Sequence, residues 1–336
     1  MVDRIHEVVD YKALADHYII RDGYVFVALT HPYNVFDAIL IRQPKNAKCF
    51  SPCLPYPKRD FDEHIALINE LKLEKAVIIA SNIDFIEECP SLKHLKIIPS
   101  EDSGNGFDYS PLYNMPEIKS LWGATIYGRN EEFFTTLDYS KIKGIEEFGI
   151  NNSRYLNYQN VTTLKSLALS NFKGQDLRNT FSSLELDTLS IIQCKVKSLE
   201  GIQKSQNMQC LYLYYNRALQ DISALLKVKK SLRALRIENC PKIEDFSVLG
   251  ELKNLELLEL SGENELPSLS FLKNMKKLKT FIFSMNVKDG DLTPCLDLSY
   301  VYSKKNRKHY NLKDTELPKA QYVRGNETIE KWRRLE

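Results

Sequence analysis

Three apolar positions, separated first by two variable residues and then by one, recur along most of the chain. The phrase reads Leu92-x-x-Leu95-x-Ile97, Ile145-x-x-Phe148-x-Ile150, Leu164-x-x-Leu167-x-Leu169, Leu186-x-x-Leu189-x-Ile191, Met208-x-x-Leu211-x-Leu213, Leu232-x-x-Leu235-x-Ile237, Leu255-x-x-Leu258-x-Leu260 and Leu278-x-x-Phe281-x-Phe283. Weaker copies stand at Leu73-x-x-Ala76-x-Ile78 and Ile118-x-x-Leu121-x-Gly123. From Leu164 onward successive copies begin 22 to 24 residues apart, a period that marks stacked structural repeats. After each phrase the apolar residues fall every third position, as in Val196, Leu199 and Ile202 or Ile243, Phe246, Leu249 and Leu252. Alternation followed by a period of three predicts a short strand and an irregular or 3₁₀ return. So short a return has no room for a full α-helix.

The third residue after each strand's last apolar position is Cys194, Asn216, Cys240 and Asn286 in four copies. A side chain turned inward there must satisfy the backbone of the bend; an Asn amide does so, and Cys fits as a small buried thiol. On the apolar phrase and this Asn/Cys position, residues 73 to about 300 resemble leucine-rich repeats, in the short class of about 22 residues seen in bacterial internalin-like proteins. The resemblance implies an α/β repeat solenoid with a curved sheet of about ten or eleven parallel strands, an irregular 3₁₀ convex side and a cap at each end. Ser100 and Ile126 depart from the Asn pattern, and the stretch from Ile98 to Pro116, with its Ser-Gly-Asn-Gly run, predicts an irregular loop.

Residues 1–72 do not follow the repeat. They predict an N-terminal cap: a hairpin turning at Asp22-Gly23, a strand at Phe36–Ile41 and a short helix beginning at Asp62. The repeats run over 73–303. Residues 304–336 are assigned to a C-terminal cap and basic tail, with a closing strand before them at Leu298–Tyr302, a terminal helix from Asn326 and Trp332 as its anchor.

Charge changes this picture little. The chain is +2 overall, which argues against a global attraction to nucleic acid. From Val301 to Glu336, however, ten Lys/Arg face five Asp/Glu, so a nucleic-acid or anionic-surface contact through this tail is the alternative to a protein partner. Seven cysteines without a paired framework suit a reducing compartment. With no signal-type N-terminus and no long apolar run, the expectation is a cytoplasmic protein that does not span a membrane. Cys49 and Cys53 lack a second ligand pair of zinc type. No phosphate-binding, nucleophile-elbow or metalloprotease motif is present, and His94 is the one histidine on a predicted strand, with no nucleophile placed beside it. No catalytic residue, metal or cofactor is assigned, and a carbohydrate-active enzyme is the less favoured alternative.

If the three apolar residues of each strand point inward, the residues between them face out on the concave side. Tyr212, Tyr214, Arg236, Glu238 and Glu259 then share one outward patch on three consecutive strands, with Trp122 four copies away. Tyrosine, tryptophan and arginine are the residues that concentrate binding energy. The expected function is therefore a non-catalytic scaffold whose protein partner meets this patch.

Overall fold

A computed structural model describes residues 25–29, 38–42, 61–70, 72, 74–80, 82–99, 107–122, 137–151, 157–180 and 186–320. The Asp22-Gly23 turn, Cys49, Cys53, Ser100, Ile126, the helix from Asn326 and Trp332 lie outside the described residues. The chain divides into two compact units, one made mainly of residues up to Ile150 and the other of residues from Gln159 on.

In the first unit β1 (Val25–Leu29) pairs antiparallel with β2 (Ala38–Arg42), and β2 pairs parallel with β3 (Lys75–Ala80). The parallel ladder continues through β4 (His94–Pro99), β5 (Ser120–Trp122) and β6 (Glu147–Asn151). Between β2 and β3 stands helix α1 (Phe61–Glu70), which buries Ile65 and Ile68. The inward positions Ile78, Leu95, Ile97, Leu121 and Phe148 are all fully buried. Tyr139 stacks on Phe148 with ring centroids 4.2 Å apart.

The second unit holds the regular copies: β7 (Ser166–Ser170), β8 (Thr188–Ile192), β9 (Cys210–Tyr214), β10 (Ala234–Glu238), β11 (Leu257–Ser261), β12 (Glu265–Leu266), β13 (Thr280–Phe283), β14 (Asn286–Val287) and β15 (Tyr300–Ser303). Seven of these form one parallel ladder, β7-β8-β9-β10-β11-β13-β15, while β12 and β14 pair separately. Register is set by the apolar phrase. Leu167, Leu189, Leu211, Leu235, Leu258, Phe281 and Val301 stand in one column, and each is fully buried. A slip of one residue would turn the whole column to the other face. Beyond β15, Tyr310 and Leu317 are buried, and the Tyr310 hydroxyl donates to Met285 O and accepts from Val287 N.

The bends carry a ladder of side chain to backbone bonds. The Cys194 thiol donates to Leu169 O at 3.4 Å, the Asn216 amide to Ile191 O at 2.7 Å and the Cys240 thiol to Leu213 O at 3.8 Å. Each donor thus reaches the last inward residue of the preceding strand. Asn216 Oδ1 also accepts from Cys194 N at 2.9 Å, tying one bend to the next. Asn286 departs from the expectation: its amide donates to the Glu265 carboxylate and leaves the backbone alone. In the preceding bend, after β11, a backbone-binding amide stands one residue later than the repeat register, at Asn264, which donates to Ile243 O and Cys240 O. Gly262, at a φ of 137°, accompanies this one-residue shift, and a Cβ there would stand 3.2 Å from Asn239 N.

The returns are 3₁₀ turns opened by a short motif that the apolar pattern does not reveal. Asp221 accepts from Ser223 N at 2.8 Å, Asp245 from Ser247 N at 2.8 Å and Asp291 from Thr293 N at 2.9 Å. The Asp-x-Ser/Thr spacing lets the carboxylate take up a backbone N–H that the turn leaves free.

The ladder generates a first prediction. Asn216→Leu leaves Cys194 N–H and Ile191 C=O without their buried partner and should destabilise by about 1–3 kcal/mol, whereas Asn286→Leu should stay within about 0.5 kcal/mol. Urea unfolding of the two variants checks the contrast.

A second prediction concerns pH. Burial pushes the Cys194 and Cys240 thiols up from their ordinary value of 9.0 to about 11. Their contribution to stability is complete below pH 9 and is lost as pH rises toward 11. Hydrogen bonds from Ser223, Ser247 and Thr293 hold Asp221, Asp245 and Asp291 below their ordinary 3.8. Their contribution is present above that value and is lost as pH falls through the lowered ones. Thermal unfolding should therefore show a plateau of stability between about pH 4 and 9. Within it, a bulky thiol reagent should modify neither Cys194 nor Cys240 faster than the chain opens.

Candidate functional site

The strands hold the outward row where the register requires, with Tyr212, Arg236, Glu259 and Ile282 in one column and Tyr214, Glu238 and Ser261 in the next. The expectation of a solvated face is not met. Tyr212 is 0% exposed, Glu259 2%, Arg236 5% and Tyr214 9%, while Glu238 is half-buried. Cys210, Tyr212, Tyr214, Ala234 and Leu257 form an apolar cluster on this side of the strands, with Ile192 packed against it.

The reason is legible in β9, whose five residues Cys-Leu-Tyr-Leu-Tyr are apolar or aromatic at every position and all buried. A strand without polar alternation is buried on both faces. The Tyr212 and Tyr214 rings lie nearly parallel, their centroids 6.2 Å apart, and the Arg236 guanidinium sits 5.4 Å over the Tyr212 ring. Arg236 reaches Glu259 at 3.3 Å, and Glu259 also meets Lys304 and accepts from Ser261 Oγ at 3.3 Å. A buried carboxylate between two cations is a braced element, because removing either cation weakens the compensation of a charge taken out of water. Trp122 belongs to the first unit, where it is buried in register with buried Lys96.

A second constellation escaped the sequence pattern. His94, Ser120 and Glu147 stand in register on β4, β5 and β6, and His94 Nδ1 lies 3.0 Å from Ser120 Oγ. A serine hydroxyl thus lies beside His94, where the apolar pattern places none. Acyl transfer, however, places the imidazole between acid and serine, whereas here the serine, 1% exposed, occupies the middle rung. Among the described residues no three of His, Cys, Asp and Glu gather as metal ligands, and no helix is long and apolar enough to cross a membrane.

Where strands β7 to β10 end, the chain presents a rim of exposed side chains. The residue just before each bend position, Asn171, Gln193, Tyr215 and Asn239, has a positive φ of 52–56°. Its N–H donates to the next strand at 2.8–2.9 Å, as in Gln193 N to Tyr214 O and Tyr215 N to Glu238 O. This geometry projects the side chain outward, and Tyr215 is 44% exposed. Beside it lies an open groove of about 520 Å³ lined by Gln193, Lys195, Lys197, Tyr215, Arg217 and Lys242 among others. None of these six entered the sequence-based patch. The available signal was the Tyr-Tyr-Asn run at 214–216, in which only one ring of the pair can face the sheet.

No family model and no curated protein matches the chain. Among solved structures it is similar to an internalin from Listeria monocytogenes, at 16% identity and a TM-score of 0.49 over 81% of each chain. It is also similar to a leucine-rich-repeat protein from Leptospira interrogans, at 15% identity and a TM-score of 0.47 over 71% of this chain and 74% of that one. A domain of a second Listeria monocytogenes internalin, described as including a cysteine ladder, gives 13% identity and a TM-score of 0.38 over 75% and 64%. The fold is carried by the chain's own geometry: with its parallel strands in leucine register, its 3₁₀ returns and its Asn/Cys bonds at the bends, it is a leucine-rich-repeat solenoid.

Proposed function

We propose that this chain is a non-catalytic scaffold that binds a protein partner, and that the contact is made on the rim around Tyr215. Tyr212, Tyr214, Arg236 and Glu259 brace the strands that present the rim, and half-buried Glu238 receives the Tyr215 N–H on its carbonyl.

The observation that supports this reading is the conformation of Tyr215. A left-handed backbone suits Asn, which occupies the equivalent position at Asn171 and Asn239, but strains a bulky residue by about 1–3 kcal/mol. Packing alone does not explain the tyrosine, because 44% of its surface remains in solvent. Strain retained for an exposed aromatic fits a residue kept for contact, and tyrosine is enriched at interfaces because its ring offers much area for little lost freedom.

The test places a photo-crosslinking amino acid at position 215 of the full chain, with exposed Leu226 as the control position. A discrete protein should be trapped from 215 and not from 226. With that protein purified, Tyr215→Asn should weaken binding by about 1–3 kcal/mol, or about 5- to 150-fold, while thermal stability holds or rises. Tyr212→Ala, by contrast, should cost about 3–5 kcal/mol of stability because it empties a buried aromatic site. Equal trapping at the two positions, or trapping of no protein, overturns the reading.

A further inference from the structure

We infer that the groove beside Tyr215 takes a short, extended acidic segment of the partner, with carboxylates lying along Lys195, Lys197, Arg217 and Lys242. The inference rests on the scaffold reading and adds the chemistry of what is bound.

Four of the nine residues that line the groove are cationic and none is acidic. The repeat itself arranges them. Lys195 follows Cys194, Arg217 follows Asn216 and Lys242 stands two after Cys240, so each bend contributes a cation just outside its buried ladder residue. Neighbouring strands are about 4.8 Å apart, which spaces the charges at roughly that interval over three rungs. The bends are fixed from within by the bond between Cys194 N and Asn216 Oδ1. The cations therefore project from rigid backbone, so that only their side chains, and not the bends, must be ordered on binding.

Nothing in the fold requires this charge. Lys195, Lys197, Arg217 and Lys242 are exposed, and among the described residues none of them makes an ion pair. The acids of the same repeats are engaged elsewhere: Glu200 with Lys227, Asp176 with Arg178 and Asp221 with Ser223. Four like charges around one groove repel one another, in a chain whose net charge is only +2. An incoming anion relieves that repulsion.

Length decides the class of anion. Three rungs span roughly 10 Å, enough for about three or four residues of extended peptide at 3.3 Å each. Past Lys242 the run of cations stops at exposed Glu244, and the next rim acid, Glu263, is paired with Lys305, so the positive stretch matches a short segment better than a long phosphate backbone. Arg217 offers the planar fork that a carboxylate meets with two hydrogen bonds, and Tyr215 gives an adjacent apolar or aromatic side chain a surface to rest on.

The experiment measures fluorescence anisotropy of a labelled, short Asp/Glu-rich peptide with the full chain. Its Asn/Gln counterpart and a single-stranded oligonucleotide of equal charge serve as comparison probes. The acidic peptide should bind, the amide version should bind about tenfold more weakly or worse, and added salt should weaken the complex. Lys195→Glu/Arg217→Glu should lose about tenfold or more of the affinity at an unchanged unfolding temperature. Lys276→Glu/Lys277→Glu, which makes the same change in net charge on exposed residues elsewhere, should retain it. Equal loss in both variants, no binding of the acidic peptide, or tighter binding of the oligonucleotide overturns the assignment. A protein trapped from position 215 whose affinity ignores the double reversal also overturns it, while leaving the scaffold reading in place.

Discussion

At the end of each strand the backbone must leave the sheet, and the peptide groups of the bend lose the regular partners that the ladder supplied. In a stack this demand recurs at every rung, and an unpaired buried carbonyl costs free energy each time. The inward side chain at the bend meets it. Asn216 serves two groups, Ile191 O and Cys194 N–H, while the Cys194 thiol lies against Leu169 O and Ile192 O and the Cys240 thiol against Leu213 O and Glu238 O. With the bends closed in this way, the leucine columns stack in register and bury both the strands and the 3₁₀ returns.

The same constraint shapes the surface. Turning the inward residue into the core forces its predecessor into the left-handed region, which is why Asn171, Gln193, Tyr215 and Asn239 all carry a positive φ. The residue that follows the bend emerges again into solvent, as Lys195 and Arg217 do. Core and rim are thus two outcomes of one backbone geometry: a buried donor at the centre, flanked by side chains that must point outward. A surface made this way is rigid without help from its own side chains, and residue type at the flanking positions is free to follow function.

The outward row of the strands behaves otherwise. Arg236, Glu259 and Lys304 form a charged group around a carboxylate that is almost wholly buried, and the tyrosines of β9 pack beside it. Charges in such a setting specify an arrangement more than they stabilise it, because desolvation offsets much of the attraction. Tyrosine and arginine are the types that dominate interfaces. The same types also serve a packed interior when their polar atoms are met, and composition alone does not separate the two uses.

The amino-acid sequence by itself determined the period, the parallel strands, their register and the identity of the bend residues at 194, 216 and 240. Each follows from local rules: alternation for the strand, a threefold period for the return, and a small hydrogen-bonding side chain where the backbone turns. It also carried the Asp-x-Ser/Thr openings of the returns, which lie outside the apolar pattern. Only the tertiary structure decided that both faces of β9 are buried, since a strand apolar at every position gives the alternation rule nothing to act on. Only it placed Ser120 against His94, turned the Asn286 amide to Glu265, set Asn264 on the Cys240 and Ile243 carbonyls, and gathered Lys195, Lys197, Arg217 and Lys242 around Tyr215. Most of those relations join residues about 18 to 27 positions apart. They depend on how one repeat is set against the next, a distance across the stack that no short window of sequence contains.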